Sequence, residues 1–230
     1  MNEVNDHSSE YPPPFSSPFS GSGGGGKGGG MKRFAELFVL LGTSTKTNDK
    51  LDALTSYFAV ADDRDKVWVI ALFSGRKPKR TVNATQLQEW CRELTGLAQW
   101  LFEESYHTVG DLAETIALLL PEPEDTVDGQ KQAADDGISS GKAEDTGGAV
   151  GGNSPSGDSS LSWYLEKLME IGKEQEDVKK KFVIQCWQQM GRDERLVFNK
   201  LITGGFRIGI SQKMIVNALA KTVGVTPSII

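Results

Sequence analysis

The strongest constraint on this chain is a period. Apolar residues return at α-helical spacing in two stretches, 31–120 and 161–230, divided by a segment rich in glycine, serine and acids. Phe34, Leu37, Phe38 and Leu41 fall at i, i+3, i+4 and i+7, which stacks them on one face of a helix. Asn48 is placed to cap a second helix carrying Leu51, Leu54, Tyr57 and Phe58. The segment from Asp63 to Ser74 holds VWVIALF, whose β-branched content suits a strand, yet its place between helical patterns favours a buried helix. Asn83 precedes a helix bearing Leu87, Trp90, Cys91 and Leu94, and another runs through Trp100 and Leu101. Asp111 and Glu114 form a capping-box-like pair that opens a helix ending near Leu120. In the second stretch Trp163, Leu168 and Ile171 mark one helix, Phe182, Cys186, Trp187 and Met190 the next, and Leu196 to Ile202 a third. Ser211 can cap a last helix with Ile215, Leu219 and Val223, closed by Gly224 in a left-handed turn. No two-residue alternation and no Asn-Gly hairpin interrupts this series, so the fold class is all-α.

Two segments fall outside the periodic pattern. Residues 1–30 are rich in Pro, Ser and Gly and read as a disordered tail, an over-extended start or a fusion scar before Met31. Their Gly21–Lys27 string imitates a phosphate-binding P-loop, but Gly28 stands where Ser or Thr should ligate magnesium and no strand precedes it. Residues 121–160 read as a flexible acidic linker inserted into a helical domain that spans 31–230.

The net charge of -6 is unevenly placed. Residues 121–160 hold nine acids and two bases, whereas 161–230 hold eleven bases and seven acids. The acidity thus lies in the low-complexity segments, and the C-terminal stretch is basic enough to meet a phosphate partner. Cys91 and Cys186 match no metal or redox spacing and read as small buried hydrophobes. The longest apolar runs, such as IALLLP ending at Pro121, are too short to span a membrane, and the expected location is the cytoplasm. His7 lies in the tail, and His107 lacks a nucleophile elbow, so no catalytic constellation is legible; an enzyme using His107 with a thiol or hydroxyl is the remotest alternative.

Two cationic loops stand out instead. In 74–81, SGRKPKRT, the residues Arg76, Lys77, Lys79 and Arg80 crowd around Pro78 between two helices, and an anionic partner would relieve their repulsion. A solvated helix connection or a nuclear-import tag would look the same. In 203–211, TGGFRIGIS, the residues Gly204, Gly205 and Gly209 can take positive φ and expose backbone N–H groups, and Arg207 offers a fork of donors. Lys213 sits in the first turn of the following helix, whose N-terminus favours anions. By composition alone this is equally a phosphate cradle or a glycine-rich turn with Phe206 and Ile208 plugged into the core.

The wording of that loop carries a resemblance. KLITGGFRIGIS, 200–211, resembles the Gly-x-Arg-(Ile/Leu/Val)-Gly motif of the N-terminal domain of ATP-dependent DNA ligases. MKRFAELFVLLGTSTKTNDKLDALTSYF resembles that domain's opening helices, SGRKPKRTVNATQLQEWC its bacterial branch, and YHTVGDLAETIALLLP its Gly-Asp-Leu helix start. The four occur in order and cover nearly all of 31–120 and 161–230. The resemblance implies a helical domain lying across the minor groove of nicked duplex DNA, gripping phosphates and sugars without reading sequence. By position it marks Gly204, Gly205, Arg207 and Gly209 as contacts, then Arg76, Lys79, Arg80 and Lys213, with Thr203 and Ser211 as hydroxyl donors. Gly110-Asp111 is expected to shape a helix start instead of touching DNA. The family's adenylation motif Lys-x-Asp-Gly is absent; its nearest text, TVDG at 126–129, has Thr126 in the lysine's place. The expectation is a monomeric binding module without cofactor, inactive alone. Its role would lie in repair, recombination or replication, and ATP and Mg2+ would belong to the catalytic domain of the same ligase. The rival reading is a helical protein-interaction scaffold whose basic loops meet an acidic partner.

Overall fold

The computed structural model describes residues 29–76, 79–123, 159–206 and 208–230. Of the tail expected at 1–30, residues 1–28 lie outside the described residues, as do 124–158 of the linker expected at 121–160; Gly29 and Gly30 are described, and Gly30 already opens the first helix. Among the described residues there are ten α-helices and no strand: α1 Gly30–Thr43, α2 Thr47–Val60, α3 Asp63–Phe73, α4 Ala84–Thr95, α5 Gln99–Val109, α6 Leu112–Leu119, α7 Leu161–Ile171, α8 Glu176–Gln189, α9 Arg192–Thr203 and α10 Gln212–Val223. The all-α class holds, and the VWVIALF run is helical.

Helix α1 forms the middle of the molecule because its apolar stripe is unusually wide. Met31, Phe34, Ala35, Leu37, Phe38 and Leu41 are all buried, and α1 packs against α2, α7 and α9. Around it α6 pairs with α9 and α10 with α2, so one hydrophobic core draws on both sides of the acidic segment. Cys91 and Cys186 are buried free thiols within it. Burial pushes the Cys91 thiol up to about 12 and that of Cys186 up further, against a small opposing pull from Arg195 on Cys91.

Local capping follows the sequence at three of the four helix starts where it marks a cap. The Asn83 side chain accepts from Gln86 N–H and the Gln86 side chain accepts from Asn83 N–H, a complete capping box. Asp111 Oδ1 accepts from Glu114 N–H at 3.0 Å, and Ser211 Oγ from Met214 N–H at 3.2 Å. Gly110 and Gly224 close the preceding helices at φ 79° and 70°. Asn48 is the exception: α2 starts two residues earlier than that cap would place it, with Lys46 at the cap position and no side-chain cap. There Ser44 Oγ accepts from Lys46 N–H and donates to Asp49, so the α1–α2 turn is held from its other side. Trp100 and Leu101 are helical as expected, but it is Phe102 that α5 buries.

Both ends of the acidic segment are tied to the core by buried charged side chains. Asp65 of α3 accepts from the Ser162 and Leu161 N–H groups at 2.8 and 3.3 Å, capping α7 from another helix. Arg195 of α9 donates to Trp187 O at 2.6 Å and to Leu120 O at 3.2 Å, closing the ends of α8 and α6. Gly30 fits beside Asp65: a Cβ there would meet Asp65 Oδ2 at 2.5 Å and Ser160 Cα at 2.8 Å.

Candidate nucleic-acid interface

The first cationic loop leaves α3 through a Schellman turn. Gly75 adopts φ 84°, its N–H donates to Leu72 O, and Arg76 N–H donates to Ala71 O. Arg76, Lys79 and Arg80 are exposed; Lys77 and Pro78 lie outside the described residues. Farther along, Thr81 Oγ1 donates to Leu168 O at 3.2 Å and Val82 is buried, which seats the loop on the last turn of α7 before Asn83 starts α4.

The second loop is pinned by one ring. Phe206 is buried, stacked on Phe34 at 5.7 Å and on Phe73 at 5.9 Å, with Phe38 tilted against it at 4.9 Å. Ile208 and Ile210 are half-buried against the core. The plugged turn is therefore real, and it coexists with an outward face: Gly205, Gly209, Ser211 and Lys213 are exposed. Arg207 lies outside the described residues. Of the three loop glycines only Gly204 takes positive φ, at 68°, as the left-handed end of α9. Gly205 and Gly209 do not adopt the left-handed conformation their sequence context suggests. The Thr203 hydroxyl donates back to Asn199 O at 2.8 Å, so the residue offers its carbonyl to a neighbour and not its proton to a ligand.

That carbonyl accepts from Arg80 Nε at 3.3 Å, joining two loops separated by 123 residues. The sequence singled out each loop separately; their adjacency is a product of packing, with Phe73 at the end of α3 and Phe206 in the second loop stacked on each other. The result is one surface with two sources of positive charge. Arg76, Lys79, Arg80 and Lys213 belong to none of the ion pairs among the described residues, so no carboxylate described there offsets their charge at contact distance. The α10 N-terminus adds first-turn amides without intrahelical partners.

Other candidate chemistry is placed apart from this surface. His107 is exposed in the last turn of α5, and both thiols are buried. Among the described residues no group of three or more His, Cys, Asp or Glu is placed to hold a metal, and no helix is long and apolar enough to cross a membrane. Asp111 works as a structural residue: besides capping α6 it accepts from Lys200 Nζ of α9 at 2.8 Å. Burial alone would raise its pKa, but the hydrogen bond from Lys200, those from the Glu114 and Ala113 amides and the Lys200 charge outweigh that and hold the carboxyl below its ordinary value.

Fold and surface together define an all-helical module that presents unpaired cations and exposed glycines on two joined interhelical loops. The family model described as DNA ligase N terminus matches residues 31–220, from the first core residue of α1 into α10 and across both helical stretches. The chain belongs to this family, the N-terminal domain of ATP-dependent DNA ligases. No curated protein matches it.

Proposed function

We propose that the chain binds nicked double-stranded DNA through its sugar–phosphate backbone, without sequence preference, as the N-terminal module of an ATP-dependent DNA ligase in repair, recombination or replication. The observation that carries this reading is the Arg80–Thr203 hydrogen bond. It joins loops 74–81 and 203–211, and Arg76, Lys79, Arg80 and, in the first turn of α10, Lys213 enter no ion pair among the described residues. Phosphates supply the missing charge. Gly205 and Gly209 let a backbone approach, Ser211 and the α10 N-terminus add donors, and Gly204 turns the chain from α9 into the loop. Arg207 keeps its candidacy from the sequence motif. Sealing chemistry, with ATP and Mg2+, would belong to a catalytic domain of the same ligase carrying the Lys-x-Asp-Gly motif that this sequence does not contain. The module itself would act in the cytoplasm as a monomer held to the nucleoid by DNA.

Anisotropy titration of a labelled nicked duplex at several salt concentrations tests the reading. Affinity should fall linearly on a log–log plot, and Lys213→Ala or Arg207→Ala should each shrink the slope by roughly one unit, equally for unrelated sequences. Absence of salt-sensitive binding at low ionic strength would sink the proposal, and unchanged slopes would remove those residues from the surface.

A further inference from the structure

Helix α5 has a face that the reading above does not use. Its inward side is Phe102, with Tyr106 packed against the core. Its outward stripe is Trp100, Glu103, Glu104 and His107, spaced i, i+3, i+4 and i+7 and all exposed. Trp100 is 69% exposed and Leu101 beside it 37%; Leu94, at the end of α4, is 36% exposed. Single apolar residues on a surface need no explanation. Here, however, the largest aromatic side chain is left in water with two carboxylates one turn away. Glu103 accepts from Gln99 Nε2 at 2.8 Å, and neither it nor Glu104 joins an ion pair among the described residues.

We propose that this face docks an arginine-bearing, otherwise apolar segment of a partner protein. The indole face attracts a guanidinium, and the carboxylates at i+3 and i+4 accept its forked N–H groups. Lysine would meet the charge but lacks the plane that stacks and the fork that pairs. Leu101 and Leu94 offer apolar surface to the flanking side chains. The unpaired acids repel a nucleic-acid backbone or an anionic lipid, so charge selects a cationic partner. The face is also remote from the cationic loops: α4 starts beside loop 74–81 and runs twelve residues, about 18 Å, toward α5. DNA and the partner can therefore be held together.

The test is anisotropy of a fluorescein-labelled Leu/Arg peptide titrated with the full 230-residue chain, beside Leu/Lys and Leu/Glu versions. The Leu/Arg peptide should bind saturably, the Leu/Lys version more weakly and the Leu/Glu version not at all. Trp100→Ala should weaken binding about two- to fivefold, and Glu103→Gln with Glu104→Gln should weaken it further. Because Trp100 is exposed, its replacement should leave the melting temperature and the nicked-duplex affinity unchanged, which separates this outcome from failure of the DNA reading. No saturable binding would overturn the proposal. Equal Leu/Arg and Leu/Lys affinities, insensitive to Trp100→Ala, would overturn it by placing the attraction in the acidic segment 121–160. A dimer seen by sedimentation and lost in Trp100→Ala, with peptide affinity unaltered, would give the face to a second copy of the chain.

Discussion

Gly209 has neither the left-handed backbone nor the crowding that would oblige the protein to keep a glycine. Its φ lies outside the positive range and a Cβ added there meets no described atom within 4 Å. Gly204 and Gly30 differ, the first needing φ 68° and the second lying against Asp65 and Ser160. A glycine that the fold does not require is one that a ligand can require. Gly209→Ala should therefore leave the melting transition within about 0.5 kcal/mol of the parent while weakening duplex binding, because the methyl group stands where a phosphate would approach. Gly204→Ala should cost roughly 1 kcal/mol of stability by comparison. Unaltered affinity in Gly209→Ala, measured by the same anisotropy titration, would show that the loop keeps its glycine for another reason. At this scale the sequence was a good guide to residue types and a poor one to their states. It marked three glycines as equivalent and Thr203 as a donor, yet φ and hydroxyl direction are set by how α9 ends.

Helix ends were the most legible elements, for a local reason. A cap joins a side chain to an amide three residues ahead, so Asn83, Asp111 and Ser211 could be placed without knowledge of the fold. Asn48 failed because Ser44, outside the helix, orders the turn and lets α2 begin earlier. Asp111 does two jobs, capping α6 and pairing with Lys200 of α9, and only the first was readable. Its depressed folded pKa means that this site adds stability above the unfolded carboxylate range, about pH 4, and loses it as pH falls through the lower folded value. Asp111→Asn keeps a capping oxygen but loses the charge. Its stability, followed by urea unfolding from pH 7 to pH 2, should show less acid dependence than the parent's, and identical pH profiles would contradict the account. The β-branched run of α3 shows the limit of local rules. Val69 and Leu72 are buried while Val67 is 65% exposed, a helical distribution that packing against α7 imposes on residues equally suited to a strand.

For the whole molecule, the decisive contacts cross the acidic segment. Asp65 grips the start of α7 from nearly a hundred residues away, and Arg195 closes the ends of α6 and α8. The two helical stretches thus behave as one core despite the insertion between them. Asp65→Ala strips the partner from two buried amides and should destabilise the chain by about 1–3 kcal/mol, with a single cooperative transition in denaturant. Two separate transitions would mean that the stretches fold independently. By itself the sequence determined the helices, three of the four N-caps it marked, and the placement of cations in two loops, because each depends on neighbours within about four residues along the chain. Only the tertiary structure decided that those loops are neighbours and that Trp100 faces water. Both depend on which apolar faces bury one another, with Phe206 locked among Phe34, Phe38 and Phe73, and no local spacing encodes which side chains meet across such distances in sequence.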